Sequence, residues 1–348
     1  MKSVKILGAG IAGMSAANFL AQSGYKATVY EKCNFVGGSR DGDYEGIENW
    51  IFSENVSDFI KKIGFNDKKI TKYPVDEFLV HTDSASPILI KNNLPFFNLV
   101  KRGSTKECID YQLYEECLKN NVRFVFNSKK TDHIDIYATG SKKAAAYVNG
   151  INFETNAKNQ SHLLLGSSFA PKGYAYMLIV NGEGTIATVF KKSKIKNKNP
   201  LRLCTNYFAD RNVKFENIKF FGGKGSFNYR KTKLSHPYSV GEAGGFQDFL
   251  FGFGMRFSML SGVAASKMIS GFKVSAYSDL KLLRNKMRLS FFNRKLYERL
   301  SDKQMFKVAL KFSDALEPLS ILENAYKWNV KDLVSLKKIK RKYEIYSS

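Results

Sequence analysis

Apolar and polar residues alternate from Ser3 to Leu7 and the alternation stops at Gly8, the pattern of a half-buried strand that ends in a turn. Ile11 to Gln22 is rich in alanine with a stop at Gly24, which predicts a helix, and Lys26 to Tyr30 reads as the next strand. The start of the chain is therefore a β-α-β unit. The segment 33–50 is rich in glycine and charge and reads as a loop, after which Ser53 is placed to cap a helix carrying Val56, Phe59, Ile60 and Ile63 that ends at Gly64. Two short strands, Glu77 to His81 and Ile88 to Lys91, look like an excursion into a second sheet. A helix over 106–120 and strands over 123–126 and 134–137 return to the first. Strand-like runs at 162–165, 174–180, 185–190 and 218–221 predict an antiparallel sheet, and a Gly-rich turn after Glu242 leads into a helix over 254–270. Helical periodicity continues over 276–345.

These elements predict an α/β chain: a Rossmann-like domain from 1–74, 100–143 and 231–275, an inserted antiparallel β-sheet substrate domain (α+β) from 75–99 and 144–230, and a C-terminal helical region over 276–348. The length supports more than one lobe, since 348 residues exceed what a single core usually serves. With 44% apolar residues, 28 Phe and 18 Tyr, the chain has ample material for a core.

Net charge of +24 invites a polyanionic partner. The lysines, however, sit beside Asn, Ile and Phe throughout, as a compositional bias leaves them, so specific nucleic-acid binding is not expected. Basic stretches with interleaved apolar residues at 281–299 and 337–342 fit the solvated face of a packed helix, and leave a peripheral membrane contact open. The run 246–265 is interrupted by Asp248 and Arg256 and is not expected to span a bilayer. No charged-then-apolar leader is visible, and Cys33, Cys108, Cys117 and Cys204 form no CxxC pair, so a cytoplasmic location without a zinc site or redox dithiol is expected. His81, His133, His162 and His236 show no ligand spacing; no metal is expected, and they read as surface or loop residues.

The chemistry lies in Gly8-Ala9-Gly10-Ile11-Ala12-Gly13. Gly8 makes a tight turn, Gly10 lets backbone approach a pyrophosphate, and Gly13 lets the helix pack on the strand. The helix N-terminus can hold phosphate charge, and Glu31, at the end of the second strand, can accept ribose hydroxyls while disfavouring a 2′-phosphate. That acid, followed by Lys32 and the Gly37-Gly38 turn, resembles flavoproteins more than nicotinamide dehydrogenases. Two further stretches resemble FAD contacts: Ala138-Thr139-Gly140 after a strand, and Val240-Gly241-Glu242 with Gly252, Gly254 and Met255 before a helix. The second is similar to the ribitol-contacting stretch of the p-hydroxybenzoate hydroxylase superfamily, with Glu242 where Asp is usual. Arg40 and Arg102 face the isoalloxazine or phosphates if they follow similar arginines of that superfamily; otherwise they are solvated or structural.

Within the superfamily the chain most resembles the geranylgeranyl-reductase branch over most of its length. The stretches carrying the likeness are 45–50, 100–103 with Ile109-Asp110, Pro171-Lys172-Gly173-Tyr174-Ala175-Tyr176, and 241–262. Tyr176 and Leu178 stand where that branch usually has Trp and Phe. The resemblance implies FAD as cofactor and reduction of carbon–carbon double bonds in a hydrophobic or lipid substrate, with Tyr174 and Tyr176 on one strand face as substrate wall or catalytic candidates. No second Gly-rich βαβ unit is present, so the electron donor, NAD(P)H or a reduced protein carrier, is expected to bind transiently. Two alternatives stay open: an FAD monooxygenase acting on a small aromatic metabolite, and a flavin-binding protein without turnover. The Trp-x-Trp-x-Ile-Pro run of flavin halogenases is absent.

Overall fold

A computed structural model describes residues 2–82, 86–128, 132–140, 146–190, 199–225 and 234–327. The predicted βαβ unit forms as β1 (Ser3–Leu7), α1 (Ile11–Gln22) and β2 (Lys26–Tyr30), followed by β3 (Tyr44–Glu48), α2 (Val56–Lys62), β4 (Tyr73–Val75), β5 (Glu77–His81), β6 (Ile88–Lys91), β7 (Phe97–Lys101), α3 (Ile109–Lys119), β8 (Arg123–Val125) and β9 (Ile136–Tyr137). Next come β10 (Ala146–Glu154), β11 (Gln160–Leu164), β12 (Tyr174–Val180), β13 (Glu183–Phe190), α4 (Pro200–Ala209), β14 (Glu216–Gly225), β15 (Tyr238–Ser239), α5 (Met255–Ile269), α6 (Lys273–Tyr297), α7 (Asp302–Ser313) and α8 (Pro318–Ala325).

Three sheets result. The first is five-stranded and parallel, in the order β15-β9-β1-β2-β8, with β1 and β2 alternating buried and open positions as their sequence predicts. The second has seven strands in the order β14-β10-β13-β12-β11-β5-β6. It is antiparallel except for the β11–β5 pair, which is parallel; β5 and β11 are separated by a return of the chain through the first sheet, so no hairpin dictates their direction. The third sheet, β3-β7-β4, is antiparallel and is tied to the seven-stranded sheet, where the Tyr44 amide donates to Thr185 Oγ1 of β13 at 3.0 Å.

Behind the parallel sheet, α1 lies between α3 and α5. The Cys117 thiol donates to the Met14 carbonyl and the Ser266 hydroxyl to the Ala16 carbonyl, and α6 packs on the far side of α5 with Leu280, Leu283, Met287 and Phe291 buried. A smaller core forms where α4 sets Leu201, Cys204 and Phe208 against Ile151, Phe153, Met177 and Ile186 of the seven-stranded sheet.

The structure corrects several expectations. The predicted loop 33–50 contains β3. Asn55, not Ser53, caps α2, its side chain accepting from the Asp58 amide at 2.8 Å; α3 starts at Ile109, three residues past the predicted start, because Thr105 to Cys108 close a separate turn. Strands β4, β7 and β10 and helix α4 are additional. The basic stretch 337–342 lies outside the described residues, as do Trp328 and the rest of the predicted helical region beyond it. No helix among the described residues is long and apolar enough to cross a membrane.

Candidate active site

The glycine hexad turns the chain from β1 into α1 at one end of a cavity of about 1150 Å³. Gly8 has φ +108°, and a Cβ there would fall 2.4 Å from the Ala138 carbonyl oxygen, so the turn and the close passage of β9 both require glycine. A Cβ on Gly13 would lie 2.0 Å from the Gly8 carbonyl, which sets the approach of helix to strand. At Gly10 and Gly140 a Cβ would meet nothing within 4 Å; there the backbone borders the cavity itself. Gly10 is the N-cap of α1 and no side chain caps the helix, so its first-turn amides and positive dipole end face the cavity. Glu31 stands beside them: Oε2 accepts from the Ala9 amide at 2.7 Å and Oε1 from the Cys33 amide at 3.0 Å, leaving each oxygen a lone pair for a hydroxyl donor.

A second backbone cradle lies beside the start of α1, where Val240, Gly241 and Glu242 lead toward the N-terminus of α5. The Gly241 amide donates to Ser261 Oγ at 2.8 Å, fixing this turn to α5. Gly254 caps α5 without a side-chain bond. Beside it the Gln247 amide nitrogen donates to the Gly252 carbonyl, while Gln247 Oε1 is buried with no partner. Two uncapped helix N-termini and a glycine-lined cradle bordering one cavity match a dinucleotide with an anionic pyrophosphate.

Between the two cradles lies a charged cluster. Arg102 is buried, with Nε and Nη2 donating to Asp110 at 2.8 and 3.0 Å and Nη1 donating to Glu45. Arg40 also pairs with Glu45, at 3.2 Å. Burial is the largest single influence on the Asp110 and Glu45 carboxyls and would raise both; Arg102, with help from Arg40, outweighs it and holds both below their usual values. Both arginines line the cavity, but Arg102 is engaged in a structural ion pair. Two other acids of the cavity wall behave oppositely: burial pushes Glu242 up to about 7 and Asp43 up to about 6.

Beyond the cluster the wall turns aromatic and apolar. Tyr174 and Tyr176 share one face of β12, with ring centroids 6.3 Å apart. The Tyr174 hydroxyl donates to the Phe251 carbonyl, whereas the Tyr176 hydroxyl meets no described partner. Phe78, Val80 and Ile90 of β5 and β6 face the cavity, and Met305, Val308 and Phe312 of α7 close its far end.

All sequence-predicted site residues except Gly13 border this one cavity: Gly8, Gly10, Ile11, Ala12, Glu31, Lys32, Gly38, Arg40, Arg102, Ala138, Thr139, Gly140, Gly241, Glu242, Gly252, Gly254, Met255, Tyr174 and Tyr176. Gly13 lies behind it in the α1 packing. Sequence reasoning missed Asp43, Gln247 and the α7 wall. Asp43 and Gln247 each lie within a Gly-rich stretch, and charge or amide there is the one signal that could have found them.

The histidine expectation is corrected. His133 and His236 are exposed, but His81 and His162 are 2% and 7% exposed and bonded to each other, Nε2 to Nδ1, at 2.7 Å. They meet because the parallel β5–β11 pairing sets His81 opposite Leu164, which makes it a diagonal neighbour of His162 on the face covered by α4, where Tyr207 reaches His81 Nδ1 at 2.8 Å and Gln160 reaches His162 Nε2 at 2.6 Å. One neutral arrangement satisfies every contact: the Tyr207 hydroxyl donates to His81, His81 to His162, and His162 to the Gln160 carbonyl oxygen. No cluster able to hold a metal ion occurs among the described residues.

Residues 6–47 match the family model of the NAD(P)-binding Rossmann-like domain. The thiamine thiazole synthase of Pyrococcus horikoshii is 30% identical over 100 residues, 28% of this chain and 39% of that protein, so the chain matches only about two fifths of this relative's length. Similarity over the whole fold is found with a geranylgeranyl bacteriochlorophyll reductase-like protein from Thermoplasma acidophilum, at TM-score 0.68 and 16% identity over 99% of this chain and 97% of that one. A flavoprotein/dehydrogenase from Cytophaga hutchinsonii follows at TM-score 0.64 and 16% identity, over 98% and 99% of the two chains.

Proposed function

The chain has the fold of the FAD-dependent oxidoreductases that includes the geranylgeranyl-reductase-like proteins, and we propose that it is an FAD-dependent oxidoreductase that reduces carbon–carbon double bonds of a hydrophobic, prenyl-like substrate. The observation that carries this reading is that a dinucleotide cradle and an aromatic, apolar wall are two ends of one cavity. The α1 amides and Glu31 would hold the pyrophosphate and ribose of bound FAD, Ala138 to Gly140 would border its nucleotide, and the N-terminus of α5 would favour negative charge on the reduced ring. Bound FAD would supply the hydride chemistry. Tyr174, braced on the Phe251 carbonyl, and Tyr176 orient the substrate, while the α7 wall excludes water from it. The electrons come from a transient donor, NAD(P)H or a reduced protein carrier.

The test is the absorbance spectrum of the purified protein before and after dithionite, followed by reoxidation in anaerobic buffer with geranylgeraniol. Bleaching of flavin bands and lipid-driven anaerobic reoxidation are expected. Reoxidation only in air, with oxygen consumption stimulated by a small aromatic, would instead assign the monooxygenase reaction. A colourless protein that takes up no added FAD would overturn the reading.

A further inference from the structure

Asp43 is 6% exposed and sits where the third sheet meets the seven-stranded sheet. Its position is fixed from both sides: the Asp43 carbonyl accepts from the Arg102 amide at 3.0 Å, and the next amide, that of Tyr44, is anchored to Thr185. Asp43 lines the cavity, and its charge acts on Tyr176 of the tyrosine wall. The two neighbouring cations are engaged elsewhere, since Arg102 pairs with Asp110 and Glu45, and Arg40 with Glu45. No ion pair and no side-chain hydrogen bond joins Asp43 to another described residue. A buried acid next to a second acid, with the nearby arginines already paired, holds its proton to a higher pH than a free carboxyl does.

We propose that Asp43 is the proton donor of this cavity, supplying the second hydrogen when a carbon–carbon double bond is reduced. This rests on the reductase reading above. Hydride from the reduced flavin forms one C–H bond; the π pair takes the Asp43 proton to form the other, and Asp43, left as carboxylate, regains a proton from water as the product leaves. The two electrons are restored by NAD(P)H or a reduced protein carrier. Asp43 lies on the substrate side: the groups that face it are Glu45 of β3, Arg40 of the preceding loop, Arg102 after β7 and Tyr176 of β12. Glu242, the other raised acid, shares Arg40, Glu45 and Arg102 with Asp43 but belongs to the turn that Gly241 packs on α1 through Ala12, whereas Asp43 is the acid whose charge acts on Tyr176 of the wall. A carboxyl raised to about 6 by burial is poised to give and regain a proton near neutrality.

D43N and D43E test this, with two readouts. In infrared pH-difference spectra of the FAD-free protein, a protonated-carboxyl band component titrating near pH 6 is expected in the wild type below that of Glu242 near 7, and D43N is expected to lose the lower component while keeping the Glu242 one. In anaerobic single-turnover reoxidation of the dithionite-reduced FAD protein by geranylgeraniol, the wild-type rate is expected to fall as pH rises above the Asp43 value, while D43N is slower by about 100-fold or more and flat with pH. D43E, which keeps the acid, is expected to retain the pH-dependent limb even if D43N fails to fold. A D43N rate within about threefold of wild type, persistence of the lower component in D43N, or a flat profile in D43E overturns the assignment and leaves the reductase reading standing. A wild-type protein that binds FAD and is not reoxidised by geranylgeraniol overturns both.

Discussion

Replacement of Arg102 by Met separates a structural from a cofactor role for this side chain. Arg102 is 3% exposed and makes three charge-assisted hydrogen bonds, two of them bidentate to Asp110, which is itself 1% exposed and further accepts the Gly103 amide. Removing one partner of a buried ion pair leaves the other charge uncompensated, at a cost of about 3–5 kcal/mol. Most of that falls on Asp110, because Glu45 is 28% exposed and keeps Arg40. R102M is therefore expected to lose about 3–5 kcal/mol in urea unfolding of the FAD-free protein at neutral pH, and R102M/D110L to recover most of it, since an apolar pair leaves no buried charge. The pH dependence follows from the same pair. Arg102 holds the Asp110 and Glu45 carboxyls below their usual values against the opposing effect of burial, so the unfolded chain binds the extra protons. The stability is full above the unfolded carboxylate value, roughly 4, and is lost as pH falls through the lower folded values. R102M should lack that acid limb. A loss under about 1 kcal/mol in the FAD-free protein, or a double variant no more stable than R102M, would refute the reasoning.

Three further outcomes are expected. E31A removes a carboxylate whose two oxygens hold the Ala9 and Cys33 amides; losing charge-assisted bonds of about 1.5–3 kcal/mol should weaken FAD retention roughly ten- to a hundred-fold in a dilution or dialysis assay. G13A drives a Cβ to 2.0 Å from the Gly8 carbonyl, so α1 must move off β1; overpacking of about 1–3 kcal/mol predicts a Tm lower by several degrees, together with flavin loss, and an unchanged Tm would contradict the packing argument. Burial lowers His81 to about 3 and His162 to about 4 from an ordinary value of 6.5. The unfolded chain therefore takes up protons first, and stability should decline as pH falls from 6.5 toward 4; H162Q is expected to flatten part of that slope in unfolding measured across the range.

What the sequence disclosed, and what it hid, divides along physical lines. The unit from β1 to β2 was legible because alternation, helical alanines and fixed glycine spacing all specify one local answer, and the cavity's nucleotide end follows from it. Strand β3 was hidden because two acids break up its buried apolar residues Tyr44 and Ile47: Glu45 is met by Arg102, and Glu48, fully buried, lies 3.8 Å from Arg256, partners that the chain supplies 57 and 208 residues later. A local pattern scores such a segment as a polar loop, since the charges that make it a strand are nowhere near it in sequence. Strand β10 was hidden by Asn149-Gly150, a dipeptide that normally signals a hairpin turn. Here Gly150 pairs across β14 with Phe221, and a Cβ would fall 2.2 Å from the ring, so the glycine marks the seat of an aromatic side chain within a continuous strand. His81 and His162 looked like isolated surface residues for the same reason that β3 looked like a loop. Their pairing exists only once β5 and β11 lie parallel, and a contact between strands so far apart in the chain leaves no local periodicity to read. The same rule explains why the wall carrying Tyr174 and Tyr176 could be placed on one strand face in advance, whereas Asp43, set against that wall from another sheet, could not.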